Sequence, residues 1–274
     1  MEISANTRLL AIIGDPVAHS LSPAMHNAAC RALGLDAIYL ALRVPAAGLS
    51  TVLQALATTG AAGNVTVPHK AAVERSVARK TDVCGRTGAC NTFWVEDGVL
   101  VGDNTDVAGV RAALAGVGVD GGRWLVIGTG GSARAVAIAA ADAGAALWVR
   151  SRHPDRARAF ADWAKRLGGR AEAAHGPIEA DVAVNATPLG LSERDPLPIE
   201  PKDLRGVRVA LDLVYARGGT RWVRGLREQG EGMVACDGRE VLVGQGAAAF
   251  RRFFPGVAAP VEVMRAAVER ALRA

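Results

Sequence analysis

Aromatic side chains are scarce in this chain, 4% of its 274 residues with only two tyrosines, and its cysteines number four. Cys30, Cys84, Cys90 and Cys236 lack the paired spacing that holds a metal ion, and an α/β chain of this size needs no disulfide staples. Reduced thiols are expected, with Cys90 a small packed side chain. The start Met1-Glu2-Ile3-Ser4-Ala5-Asn6 has no basic region followed by an apolar one, which together with the thiols points to an unexported, cytoplasmic protein. Half the residues are hydrophobic, yet no apolar run approaches the roughly 18 residues of a membrane span. Nor is there a block of one charge sign. The 32 Lys and Arg are interspersed with 27 Asp and Glu, leaving a net charge of +5. Without a basic run interleaved with aromatics, nucleic acid is not the expected partner. Small anionic ligands account for the excess. There is no internal repeat and no low-complexity segment.

What is present is alternation. Apolar runs at Leu9 to Ile13, Ile38 to Leu42 and Asn64 to Val67 are separated by helical stretches beginning near Ser22 and Ala46, the pattern of βαβ units and a mostly parallel sheet. Asp97-Gly98 between Thr92 to Glu96 and Val99 to Gly102 is a two-residue hairpin signal, so that sheet should carry an antiparallel edge. A helix from Thr105 to about Ala115 leads into the glycine-rich connector Gly116 to Gly122. From Trp124 the alternation restarts: strand to Ile127, helix Ser132 to Ala143, strand Ala146 to Val149, helix to about Leu167, then strands at Val182 to Val184 and Val209 to Val214. This second stretch reads as a Rossmann domain. Pro260 then opens an amphipathic helix with Val261, Met264, Val268 and Leu272 on one side. The expected fold is α/β with two α/β domains, over 1–104 and 105–239, followed by C-terminal helices over 240–274.

Three segments carry chemistry. Gly128, Gly130 and Gly131 follow an apolar strand and open a helix, where a tight turn and free helix amides hold a pyrophosphate. About 20 residues further on, a domain selecting NAD shows an acid and one selecting NADP an arginine. Here the strand ends Val149-Arg150-Ser151-Arg152, with Arg156 one helical turn later, and no acid is present. NADP is the expected cofactor. The second and third segments, Asn64-Val65-Thr66-Val67-Pro68-His69-Lys70 and Asn104-Thr105-Asp106, each deliver an ionisable residue from a turn beside an apolar strand. A lysine and a carboxylate brought together can move a proton, which beside a dinucleotide suggests hydride chemistry. Ser22 before Pro23 reads as an N-cap, and with Ser20 it offers two hydroxyls at a helix N-terminus, a place suited to a carboxylate. Asn64 is read as a structural residue holding the loop that presents Lys70. His19 and His26 are read as packing or capping residues.

From Gly14 to Phe250 the chain resembles the shikimate dehydrogenases. The motifs are Gly14-Asp15-Pro16-Val17-Ala18-His19-Ser20-Leu21-Ser22-Pro23, Asn64 to Lys70, Gly88-Ala89-Cys90-Asn91-Thr92, Gly102 to Asp106, the glycine turn, Asn185-Ala186-Thr187-Pro188, Asp212-Leu213-Val214-Tyr215 and Gly244-Gln245-Gly246. The resemblance implies that the C-terminal helices rejoin the N-terminal domain. It implies an NADP-dependent interconversion of 3-dehydroshikimate and shikimate, with Lys70 as proton donor and Asp106 orienting it and meeting a substrate hydroxyl. Ser20 and Ser22 are then expected on the substrate carboxylate, and Thr66, Asn91, Tyr215 and Gln245 on its hydroxyls and carboxylate. Thr129, Ser132, Ser151, Thr187, Leu213 and Gly238 are expected to join the glycines and arginines around the cofactor. The protein is expected to be a monomer or homodimer. The rival readings are a quinate or quinate/shikimate dehydrogenase and a silent nicotinamide-binding regulator, which would have no need of Lys70 and Asp106. Arg217 and Val241 stand where the family usually has proline and methionine, and they bear on fine specificity.

Overall fold

In a computed structural model, which describes residues 3–228 and 232–273, the chain divides into two compact units. One comprises the residues up to Gly109 together with those from Leu242 onward, and the other is Val110–Val241. Each is built on a six-stranded sheet.

The first unit contains β1 (Arg8–Gly14), α1 (Ser22–Ala32), β2 (Ala37–Arg43), α2 (Leu49–Thr58), β3 (Ala62–Val65), α3 (Lys70–Ser76), β4 (Arg79–Lys80), α4 (Asp82–Thr87), β5 (Thr92–Glu96), β6 (Val99–Asp103) and the start of α5 (Asp106–Ala115). Its strand order is β2-β1-β3-β5-β6-β4. Leu10, Ala11 and Ile13 of β1 are fully buried, as a parallel strand covered on both faces requires. β5 and β6 pair antiparallel across Asp97 and Gly98, whose φ of 51° and 74° make the turn that matches strand twist. This pair is not the edge that the hairpin signal suggested. The two-residue β4 runs parallel to β6 outside it, and so short a strand leaves almost no period-two pattern to read.

The second unit continues with β7 (Arg123–Ile127), α6 (Gly131–Asp142), β8 (Ala146–Arg150), α7 (Pro154–Arg166), β9 (Arg170–Ala173), β10 (Ile178–Glu179), β11 (Val182–Asn185), β12 (Leu204–Arg205), β13 (Val209–Asp212), α8 (Arg221–Arg227) and β14 (Val234–Cys236). The main sheet is ordered β14-β13-β11-β7-β8-β9 and every pairing in it is parallel. This is the doubly wound Rossmann arrangement. The strand order reverses between β7 and β11, the kind of switch point beyond whose strand ends open α/β sheets bind their ligands.

Two further helices, α9 (Arg239–Phe253) and α10 (Val261–Arg273), complete the chain. Val243, Ala247, Phe250 and Phe253 of α9 and Met264 and Val268 of α10 share one apolar cluster with Leu10, Met25 and Tyr39, so the C-terminal helices close the core of the first unit. At Gly246 the Met25 side chain of α1 packs against the α9 backbone so closely that a Cβ there would lie 2.2 Å from its methyl carbon. No helix among the described residues is long and apolar enough to cross a membrane.

His26 lies inside that cluster, fully buried and stacked on Tyr39 with ring centroids 4.4 Å apart. Neither ring nitrogen has a hydrogen-bond partner among the described residues. Burial pushes the imidazole down to about 3 from its ordinary 6.5. The native state therefore keeps His26 neutral, while the unfolded chain takes up a proton once the pH falls below 6.5. The contribution to stability is whole above that pH and falls by about 1.4 kcal/mol per unit as the pH drops toward the native value. Urea unfolding at pH 7.5 and 4.5 should show His26→Leu losing less stability on acidification than the wild type. Equal losses would mean that the native core admits the proton.

Candidate active site

Lys70 is the first residue of α3, and its backbone is fixed on both sides: the Thr66 amide donates to the Ile13 carbonyl at 2.9 Å, and the Lys70 carbonyl accepts from the Cys90 amide at 2.8 Å. His69 anchors the turn by its ring, 2.6 Å from the Val44 carbonyl. Asp106 opens α5, where the helix dipole favours a carboxylate. The two side chains meet with Lys70 Nζ 2.5 Å from Asp106 Oδ2, each side chain 16% exposed.

Asn91 holds the acid in place. Its Nδ2 donates to Asp106 Oδ1 at 2.7 Å, and its Oδ1 accepts from the Thr105 amide at 2.7 Å and the Thr92 hydroxyl at 2.9 Å. Gln245 of α9 joins the same cluster, with Oε1 3.5 Å from Asn91 Nδ2 and 3.4 Å from the Thr105 hydroxyl. The turn that delivers Asp106 is itself braced through Asp103. Its Oδ1 accepts from the Thr81 hydroxyl and the Asn104 amide, and its Oδ2 accepts from Arg252 of α9 at 3.0 Å.

Ser22 is not the N-cap of α1. It is the first helical residue, Leu21 occupies the cap position and no side chain caps the helix. Instead the Ser22 amide donates to Ser20 Oγ at 3.3 Å, which sets the Ser20 hydroxyl at the helix start. The buried Ser22 connects inward to Tyr39, whose phenol burial drives well above its usual range while the Ser22 hydroxyl opposes that shift. The Tyr39 hydroxyl donates to Asn64 Oδ1 at 2.7 Å, and Asn64 Nδ2 donates to the Asn91 carbonyl at 3.2 Å and Thr92 Oγ1 at 3.0 Å. One chain of polar contacts thus runs from Ser22 through Tyr39, Asn64 and Asn91 to Asp106 and Lys70. Thr66 sits half-buried on the loop before Lys70. Sequence reasoning missed Tyr39, Asp103, Thr105 and Arg252. The signal for Tyr39 was its rarity, one of two tyrosines placed within an aliphatic strand.

In the second unit α6 starts at Gly131, one residue before the expected Ser132, with Gly130 as its cap. Gly128 has φ 116°, and a Cβ there would stand 2.9 Å from the Ala186 carbonyl oxygen, so no other residue fits. At Gly130 a Cβ would meet nothing within 4 Å, which leaves room ahead of Thr129, Gly131, Ser132 and the unpaired first-turn amides for a pyrophosphate. Arg150 donates to the Gly176 carbonyl at 2.9 Å and to Asp203 Oδ2 at 3.2 Å. Arg152 and Arg156 are exposed at the entry to α7 and enter no ion pair among the described residues, while Ser151 Oγ accepts from the His153 amide at 3.2 Å. Thr187 follows β11, Leu213 and Tyr215 follow β13, and Gly238 follows β14. A Cβ on Gly238 would lie 2.3 Å from the Leu213 carbonyl oxygen.

Sequence comparison matches residues 12–93 to the shikimate dehydrogenase substrate binding domain and residues 238–269 to the shikimate 5'-dehydrogenase C-terminal domain. A shikimate dehydrogenase (NADP(+)) of Rubrobacter xylanophilus is 42% identical over 97% of this chain and 97% of its own. The crystal structure of shikimate 5-dehydrogenase from Thermus thermophilus in complex with NADP(H) and shikimate matches with a TM-score of 0.86 at 37% identity, covering 97% of this chain and 100% of that one. The ligand-free 5-ketofructose reductase of a Gluconobacter strain matches with a TM-score of 0.87 at 28% identity, over 98% of this chain and 100% of that one.

Tyr39→Phe removes the donor that serves Asn64 Oδ1 in a buried place. It should lower stability by about 1–3 kcal/mol, read by urea unfolding. An unchanged midpoint would show that Asn64 is held by other means.

Proposed function

The chain belongs to the shikimate dehydrogenase family, and from that premise we propose that it catalyses the NADP-dependent interconversion of 3-dehydroshikimate and shikimate in aromatic amino acid biosynthesis. The observation that carries the mechanism is the contact between Lys70 and Asp106 at the starts of two helices, with Asn91 fixing the acid. When bound, NADPH supplies the hydride. Reduction leaves negative charge on the former ketone oxygen, and the Lys70 ammonium gives that oxygen a proton, which solvent then restores. Asp106 keeps Nζ aimed and offers its remaining acceptor capacity to a neighbouring substrate hydroxyl. In the oxidative direction neutral Lys70 takes the hydroxyl proton.

Ser20 and Ser22 hold the substrate carboxylate, a role favoured by the Ser20 hydroxyl standing at the α1 N-terminus. Thr66, Asn91, Gln245 and Tyr215 meet its hydroxyls, since amides and hydroxyls can each donate and accept. Gly128 to Ser132 take the pyrophosphate. Arg152 and Arg156 take the 2′-phosphate, while Arg150, with Ser151, braces the turn beneath them through Asp203 and Gly176. Thr187, Leu213 and Gly238 line the crevice beyond the strand ends. The enzyme works in the cytoplasm, in keeping with the free thiols of Cys30, Cys84, Cys90 and Cys236, as a monomer or homodimer.

The decisive assay crosses shikimate and quinate with NADP⁺ and NAD⁺. Turnover should be fastest for shikimate with NADP⁺, and silence in all four combinations would remove the enzyme reading. In the same assay Lys70→Ala should lower kcat by roughly 10²-fold or more with a much smaller change in KM, because a proton donor acts mainly in the transition state.

The arginines separate by cofactor. Arg152→Ala with Arg156→Ala should cost roughly tenfold or more in kcat/KM for NADP⁺ and far less for NAD⁺, as loss of a charge-assisted contact requires. Arg150→Ala should affect both cofactors alike. A selective loss of NADP⁺ in Arg150→Ala would reassign the phosphate contact to it.

A further inference from the structure

Asp212 is the last residue of β13, fully buried, and lies directly beside Asn185, the last residue of β11. Its Oδ1 accepts from Asn185 Nδ2 at 2.8 Å and from the Val214 amide at 3.0 Å, and its Oδ2 accepts from the Thr220 hydroxyl at 2.7 Å. Every partner is a donor. Asn185 passes the constraint on, because its Nδ2 also donates to the Leu189 carbonyl at 3.0 Å and its Oδ1 accepts from the Thr187 amide and hydroxyl at 3.0 and 2.7 Å. Turning that amide over would set its oxygen against two acceptors and its NH₂ against two donors. On the other side Leu213 donates its amide to the Asn185 carbonyl, and Val214 accepts from the Gly238 amide. One acid-and-amide pair therefore holds the loops that follow β11, β13 and β14, and the Gly190 backbone reaches it as well, with a Cβ position 3.6 Å from Asp212 Oδ2.

We propose that Asp212 is a positioning residue for the dinucleotide: its ionised carboxylate fixes the strand-end loops that carry Thr187, Leu213 and Gly238, and protonation loosens them and weakens NADPH binding. The proposal rests on the reading of the second unit as the NADP site. Protonation would cost one of these contacts: among the described residues the Thr220 hydroxyl, which also accepts from the Val223 amide as the cap of α8, could take the new proton on its second lone pair only by turning its own hydrogen away from Oδ2, and Asn185 and Val214 would be left donating to a weaker, neutral acceptor.

Burial raises the Asp212 carboxyl to about 6, against the hydrogen bonds from Thr220, Val214 and Asn185, with Asp237 adding to the rise. Asp237 is 3% exposed, has one oxygen on Arg239 and the other buried without a hydrogen-bond partner among the described residues. Of the other charged groups near these loops, Asp195 accepts from the Gly190 and Ser192 amides, Arg224 donates to Glu193 and the Gly219 carbonyl, Arg227 donates to the Ala235 carbonyl, and Arg217 is exposed. Between 3.8 and about 6 the native state holds more proton at Asp212 than the unfolded chain does, so this group alone raises stability as the pH falls. Its acid effect is read in binding and not in melting.

The test titrates the full-length protein with NADPH by its fluorescence. Asp212→Asn should raise Kd about tenfold at pH 7.5 and match the wild type at pH 5; taking this ratio cancels the titration of the cofactor's own phosphate. Thr220→Val removes a bond to the charged form and should move the onset of weakened binding to higher pH, and Thr220→Ser should restore it. These two variants decide the matter if Asp212→Asn does not fold. A D212N protein that binds as tightly as the wild type at pH 7.5, or whose deficit is the same at both pH values, overturns the positioning role, as does Thr220→Val with no shift. A wild-type protein that binds no NADPH would instead overturn the proposed function beneath it.

Discussion

A carboxamide cannot be reversed without exchanging its donors for acceptors, and both candidate sites depend on that polarity. Asn91 points its NH₂ at Asp106 and its oxygen at Thr105 and Thr92. Asn185 points its NH₂ at Asp212 and its oxygen at Thr187. In each unit an amide at or beside the end of a strand fixes a carboxylate, and buried surroundings make any mismatch costly. Asn64 repeats the device between Tyr39 and Asn91. The aim of these charged side chains is set by neutral neighbours.

The parts of this structure that were legible in the sequence are those that local pattern dictates. Parallel strands buried on both faces read as apolar runs, the Asp97-Gly98 turn read as a hairpin, and the glycines before α6 read as a strand-to-helix turn. The resemblance of ordered motifs supplied the candidate site residues, and the structure brings Lys70, Asn91, Asp106 and Gln245 of that set together. What was not legible is pairing at long range. Nothing near Arg150 announces Asp203, 53 residues away, and nothing near Asp103 announces Arg252, 149 residues away. The cap of α1 was misread because Ser-Pro satisfies the local rule, while the fold turns the Ser22 side chain to Tyr39. Strands of two residues, β4, β10 and β12, are too short to leave a period.

The likeness to a 5-ketofructose reductase at 28% identity across nearly the whole chain places a boundary on what the fold alone can say. A scaffold shared with a protein named for a different substrate leaves substrate choice to the side chains placed on it. Of the side chains proposed to meet the substrate, Ser22 is tied to the rest of the first unit through Tyr39 and Gln245 through Asn91.

The core of the first unit contains Phe250, Phe253, Met264 and Val268 beside Leu10 and Met25, while the second unit is one uninterrupted stretch, Val110–Val241. On a ribosome the strands of the first unit therefore wait for α9 and α10, which follow the whole of the second unit. The nucleotide-handling unit has its whole sequence available first, so its folding can precede that of the unit that begins the chain, and the apolar faces of β1 and α1 stay uncovered until α9 and α10 emerge. Nascent chains stalled before Phe250 would carry that exposed surface.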